Sequence, residues 1–487
     1  MQFFFDRACR IVSLFVITSV SIFAQTNSPT DYRVPFDKGI EYFNAKQFAD
    51  ASEAFKQAIK IKSDVPQAHY NLCLTYIKLE RYSDSIVPCE DALRLKTDYY
   101  EAYVNIGVAH RSLKNYPASL TAYEKAKTIN PASPTAPYGL GVTYFTMKQY
   151  GDAIARFQDV LKLKPDHFDA LIYLGSALDN IGNYTAALES YQKAANVNPQ
   201  ANTPWLEMAV THNRQKNYGE AVLCYKEAIQ RKPNDVTNLV HYGNALDNAG
   251  KYGEAIAAYQ QAIKLDANNA WAWVEMGIAH ERQQKYEDAT EAYQNALSLK
   301  ADYDQAQIGL GNIFYIRENF TDALTSYQAV ASRSPKLADL HKKIGDTLVK
   351  MNRQSDAIVA YQQAITVNPV YAEAYMGRGN VHYNTKRFQE ALADYEAAAK
   401  HKPTWATAHH YLGDTYSRLN KFKEAINAYK EAVRINPKLA EAHYQLGFLY
   451  YKQGLKELAL AAHKELLLVD EEKAEKLMAV ITGRDVR

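Results

Sequence analysis

His280-Glu281 opens the pattern that a helical zinc hydrolase uses, but the second ligand position holds Gln284. Neither a zinc site nor a metal-activated water is expected there. Gly139-Leu140-Gly141 lacks the third glycine and the preceding strand of a dinucleotide loop. His409 and His410 are adjacent, so they leave a helix on different sides, and no Cys-x-x-Cys occurs. An enzyme would have to build its site from scattered residues such as His212, Glu275, His280 and Arg282. The expectation is therefore no catalytic residue, no metal and no cofactor. Three cysteines follow the first 24 residues: Cys73, Cys89 and Cys224. In an oxidising compartment Cys73 and Cys89 can form a disulfide. The alternative, which packing alone favours, is two buried thiols acting as small hydrophobes. Cys224 has no evident partner. Asn183-Tyr184-Thr185 and Asn319-Phe320-Thr321 fit the N-glycosylation pattern.

The elements that must position such residues repeat every 34 residues. From Tyr32 to Lys473 the unit recurs thirteen times with no insertion or deletion. Phe48, Ala51, Phe55 and Ala58 return as Tyr150, Ala153, Phe157 and Val160, and again as Phe422, Ala425, Tyr429 and Ala432. Glycine stands at the eighth position of most units (Gly39, Gly107, Gly141, Gly277, Gly413), and proline at the thirty-second of eight, from Pro131 to Pro437. Spacings of three and four put the apolar residues on one face of a helix. Each unit therefore reads as two helices. Gly at position 8 and Ala at position 20 let them cross closely, aromatics at 17 and 24 fill the space beyond, and proline ends the second helix. Cys73 falls at position 8 and Cys89 at position 24 of one unit, on the facing sides of its paired helices.

This joint recurrence of small, large and proline positions resembles the tetratricopeptide repeat (TPR) family over about nine-tenths of the chain. The resemblance implies an all-α fold: a right-handed α-solenoid superhelix of about thirteen helix-turn-helix repeats, with a concave and a convex face. It implies ligand contact from positions 2, 5, 9, 12 and 13 of each first helix. Carried over, those positions are apolar in the first four units: Phe36, Ile40, Phe43, Tyr70, Leu74, Ile77, Val104, Val108, Tyr138, Val142 and Phe145. They become polar in the middle, with Asn180, Arg214, Asn248 and Arg282, and mixed at the end. An apolar stretch of this size marks an interaction site for a partner segment; the competing reading is that neighbouring units bury it. Units five and six also look like a copy of seven and eight: Ala177-Leu178-Asp179-Asn180 recurs as Ala245-Leu246-Asp247-Asn248. That is either a repeated binding step or duplication not yet diverged. The Lys–Asn clamp by which some relatives grip acidic C-termini is not supported, since Lys342 stands with Asp346.

The 37 tyrosines follow from the repeat and read as packing residues with wetted hydroxyls. A net charge of +2 gives no bulk attraction for nucleic acid. Residues 1–24 carry Arg7 and Arg10 before an uncharged stretch, Ile11 to Phe23, too short to span a bilayer. They read as a secretory signal peptide cleaved after Ala24, with an uncleaved anchor as the alternative. Residues 25–31 form a short polar lead. The last unit drifts from the pattern, and residues 470–482 read as a capping helix that covers the final pair. The expected protein is an exported, periplasmic or extracellular, non-catalytic scaffold. It would bind protein or peptide segments, with no membrane span after cleavage, and serve an envelope assembly. A polysaccharide-binding accessory role is the alternative.

Overall fold

The structure, a computed structural model, describes residues 31–483. The signal-peptide segment and most of the polar lead lie outside the described residues. Within them are 27 helices and no strand. They alternate in the predicted register. The first repeat pairs Arg33–Asn44 with Phe48–Ile61, and the twelfth pairs Ala406–Arg418 with Phe422–Ile435. The chain divides into two compact units at Lys251/Tyr252. The first holds six full repeats and the opening helix of the seventh. The second holds the remaining helices.

Each hairpin is built the same way. The last turn of the first helix closes with two overlapping hydrogen bonds, such as Lys46 N to Phe43 O and Gln47 N to Tyr42 O. The residue between the helices, at position 15, has a left-handed backbone whether it is Gly182 (φ 82°) or Lys148 (φ 61°). This turn satisfies carbonyls that a helix end would otherwise orphan. Above it the helices meet at glycine. A Cβ on Gly141 would lie 2.6 Å from the Phe157 ring, and one on Gly413 would lie 2.5 Å from Tyr429. Ala51, Ala153, Ala255 and Ala425 at position 20 are fully buried. In the second repeat the same crossing is made by sulfur. Cys73 and Cys89 form a disulfide with Cα atoms 5.3 Å apart, standing where other hairpins set glycine against a ring.

The connection between hairpins is held by position 4. His341 donates Nε2–H to Pro335 O at 2.8 Å, His443 to Pro437 O at 2.9 Å, and His409 to Pro403 O at 3.0 Å. These histidines tie down the carbonyl of the residue that ends the preceding hairpin. Asn183 and Asn319 cap helices, accepting from Ala186 N and Asp322 N. The final helix, Glu471–Thr482, starts at Asp470, whose side chain accepts from Lys473 N at 3.0 Å, and ends at Gly483 (φ 67°). Its Ala474, Leu477 and Ile481 are buried, and Leu477 lies against Gly447 of the last hairpin. It covers the apolar side that a terminal repeat leaves open.

Candidate functional site: the face of the first helices

In the N-terminal unit the expected apolar binding face is filled by the protein itself. Ile40, Tyr70, Leu74, Ile77, Val108 and Tyr138 are all at least nine-tenths buried. Tyr70, Leu74, Ile77, Val104 and Val108 share one core cluster with Tyr99, Tyr123 and Leu140. Tyr138 packs on Phe157, His167 and Tyr173. Phe36 and Phe43 are half-buried against a smaller cluster around Ile40 and Phe55, and Phe145 lies edge-on to Tyr150 and Tyr173. The expectation of an open apolar groove at these residues is corrected. Successive first helices lie close enough for large side chains at positions 5, 9 and 12 to pack on the next repeat, and burying them there is favourable.

The middle repeats use their polar residues on each other. Buried Asp179 accepts from Thr211 Oγ1 at 2.9 Å and pairs with Arg214 from the next repeat. Arg214 therefore neutralises a carboxylate that would be costly to bury alone. Asn180 donates to Ser176 O at 2.7 Å. Asn248 and Arg282 are exposed.

The C-terminal unit differs. Across repeats nine to twelve, position 9 reads Asn312, Asp346, Asn380, Asp414, each half-buried. Each accepts a hydrogen bond from the tyrosine fifteen residues later: Tyr327 at 2.9 Å, Tyr361 at 2.7 Å, Tyr395 at 2.8 Å and Tyr429 at 2.6 Å. Burial pushes these four phenols up, so each stays a protonated donor. Burial also raises Asp414, whose neighbours are Tyr429 and the His410 imidazole, Nδ1 at 3.7 Å. Lys342 pairs with Asp346 at 2.7 Å, so the Lys–Asp pair seen in sequence is made within one helix. A cavity of ≈ 370 Å³ opens on this face between repeats eight and nine, lined by Ile278, Glu281, Arg282, Tyr293, Ile308 and Asn312. Gly309 makes room for the Tyr293 ring beside it, which a Cβ would meet at 2.4 Å. Tyr293 donates to Glu281 at 2.9 Å.

Sequence reasoning missed these tyrosines because it read them only as packing. The signal was the polar residue at position 9: Asn312, Asp346, Asn380 and Asp414 each stand opposite a tyrosine at position 24.

Two of the residues from which a catalytic site would be drawn have neighbours of their own. Glu275 accepts from Trp271 Nε1 at 2.8 Å, while His280 Nδ1 lies 3.6 Å from Asp288. His212 lines a cavity of ≈ 490 Å³ with Trp205, Met208, Glu220 and Cys224. Burial pushes the Cys224 thiol up to about 11, the reverse of what an attacking thiolate needs. Among the described residues no group of three or more His, Cys, Asp or Glu could hold a metal ion, and no helix is long and apolar enough to cross a membrane.

Solved structures with similar chains include the Cut9–Hcn1 hetero-tetramer of the APC/C, at 14% identity over 92% of this chain and 96% of that one, TM-score 0.38. Yeast Tom70 matches at 18% identity over 92% and 99%, TM-score 0.39. A tetratricopeptide repeat protein from Parabacteroides merdae ATCC 43184 matches at 18% identity over 51% and 98%, TM-score 0.42. No curated protein matches the chain. A TPR repeat profile matches residues 243–284 and 413–454, and a tetratricopeptide repeat profile matches residues 100–133. A further tetratricopeptide repeat profile matches residues 36–99, 138–203, 177–236, 274–338 and 342–404, more than half of the sequence. With its hairpins closed by glycine against aromatic rings at constant spacing, this chain belongs to the tetratricopeptide repeat family.

Proposed function

We propose that the protein is an exported, non-catalytic scaffold that holds a segment of a partner protein on the first-helix face of its C-terminal unit and serves an envelope assembly. Family membership supports protein binding in general. The observation that carries the placement is the row Asn312, Asp346, Asn380 and Asp414, half-buried polar groups braced from behind by tyrosines. Each keeps hydrogen-bonding capacity at the surface beyond the bond to its tyrosine. Export is supported by the character of residues 1–24 and by the disulfide at Cys73–Cys89, a bond that persists in oxidising compartments.

Two measurements test this reading. The protein recovered from the producing cell should begin at Gln25. Unfolded without reductant, it should show one reactive thiol, Cys224; four thiols, Cys9 included, on a chain that still begins at Met1 would remove the case for export. A photo-cross-linking residue at Gln305, beside the cavity, should capture one defined protein that the same probe at Lys226 does not. Cross-links to glycan only would replace the protein-binding reading with the polysaccharide one.

A further inference from the structure

We propose that the sixth repeat, residues 202–235, holds one copper(I) ion between the thioether of Met208, the imidazole of His212 and the thiolate of Cys224. The site uses positions 7, 11 and 23 of the repeat, none of them assigned to partner binding. It stands or falls independently of the scaffold reading.

The eleventh repeat, residues 372–405, shows that these positions meet. There they carry Arg378, His382 and Asp394. Arg378 Nε donates to Asp394 Oδ1 at 3.1 Å, and His382 Nδ1 lies 3.0 Å from Oδ2. Arg378 also donates to Gln362, at position 25 of the preceding repeat. The group is closed, with a buried carboxylate satisfied from both sides.

The sixth repeat sets other chemistry on the same frame. Met208, His212 and Cys224 line one cavity of ≈ 490 Å³ together with Gln192, which is position 25 of the repeat before. Met208 and Cys224 are more than nine-tenths buried. Two of the three side chains reach less far than their counterparts. Met carries Sδ one bond short of the place of an Arg Nε, and Cys carries Sγ one bond short of an Asp oxygen. Contact in the eleventh repeat is thus space in the sixth. His382 turns its Nδ1 to position 23; His212 Nδ1 is buried with no hydrogen-bond partner among the described residues. Cys224 is the free thiol there, since Cys73 and Cys89 are bridged.

Thioether and thiolate are soft donors, and with one imidazole they select copper(I). No three His, Cys, Asp or Glu side chains converge among the described residues, so zinc, which takes three or four such ligands, is poorly served. The one thiolate charge neutralises a monovalent ion, which a buried site requires, and would leave a divalent one charged. Glu220 and Glu227 line the cavity against Lys226, an excess of negative charge that favours a cation. The eighth repeat is an internal control. It has Met276 and His280 at positions 7 and 11 but Ala292 at position 23.

The probe is copper(I) itself, offered without oxygen as its bathocuproine disulfonate complex to the full mature chain with the disulfide closed. One equivalent should pass to the protein, and the thermal unfolding midpoint should rise with it. Cys224→Ala should abolish the transfer. Met208→Leu, which conserves volume, and His212→Gln should each weaken binding at least about tenfold, because even groups that only support a ligand are worth about that much. Met276→Leu should change nothing, and excess zinc(II) should not displace the ion. The site is overturned if the parent takes no copper from the chelator, if Cys224→Ala binds as the parent does, or if zinc displaces the ion. It is overturned equally if Met208→Leu and His212→Gln bind unchanged, which would mark an adventitious thiol, or if Met276→Leu weakens binding as much as Met208→Leu.

Discussion

Repeats one to four and repeats nine to twelve share one backbone plan and use position 9 in opposite ways. In the former it carries Ile40, Leu74, Val108 and Val142, sealed into the core; in the latter it carries Asn312, Asp346, Asn380 and Asp414, kept half-open by tyrosine hydroxyls. Position 24 changes less cleanly: it is Phe55, Cys89, Tyr123 and Phe157 in the first four repeats and tyrosine in all of repeats nine to twelve. The lesson is that the scaffold residues, Gly at 8 and Ala at 20, set the hairpin, while position 9 sets how polar its face is.

Leu74→Asp should break this contrast most severely. It puts a charge into a site 2% exposed, with no partner arranged for it. We expect a loss of about 3–5 kcal/mol or more in urea unfolding. The mirror change, Asp346→Leu with Tyr361→Phe and Lys342→Met, should cost less than about 1 kcal/mol, because all the partners of Asp346 leave together. Equal losses for the two would show that the regions do not differ in the way described.

Cys89→Ala removes the bridge that closes the second hairpin. With a sequence separation of 16, the expected loss is about 3 kcal/mol, and it should match the effect of reductant on the parent chain. Phe157→Tyr places a hydroxyl toward Val142 with no carboxylate or amide to receive it, and should cost about 1–3 kcal/mol. Tyr361→Phe alone, which strands one lone pair of half-exposed Asp346, should cost about 1 kcal/mol.

A smaller effect concerns pH. His167, His212, His241, His280 and His382 are each held below the usual imidazole range, first by burial. A depressed pKa means the unfolded chain takes up these protons more readily than the folded one. Stability is then present above the unfolded value, about 6.5, and is lost as pH falls through the folded values. The midpoint of thermal unfolding should drop between about pH 6.5 and pH 5. His382→Gln should flatten that drop slightly. A midpoint that rises on acidification would refute the burial account.

Nearly all of the fold was legible because it is periodic. The aromatics at position 17 mark where second helices begin, at Phe48, Tyr150 and Phe422, and the capping role of Leu477 follows from its spacing with Ala474 and Ile481. The face was less legible. Position numbering placed Leu74 and Val108 correctly on one side of a helix but could not say how near the next helix comes, and that distance decides burial. Arg214 read as a ligand contact because its partner, Asp179, lies on another repeat. The left-handed residue at position 15 went unread, since ten of the thirteen repeats fill it with lysine, glutamate, glutamine or asparagine and only three with glycine.

That turn has a consequence for how such an array changes length. Because every hairpin turns through the same left-handed residue at position 15 and most close with glycine against a ring, whole units are interchangeable pieces. Excising or copying a whole unit restores the same junction on either side, whereas removing a single residue would throw every later crossing out of phase. Natural variants of this chain should therefore differ by multiples of the repeat, gaining or losing length in whole steps.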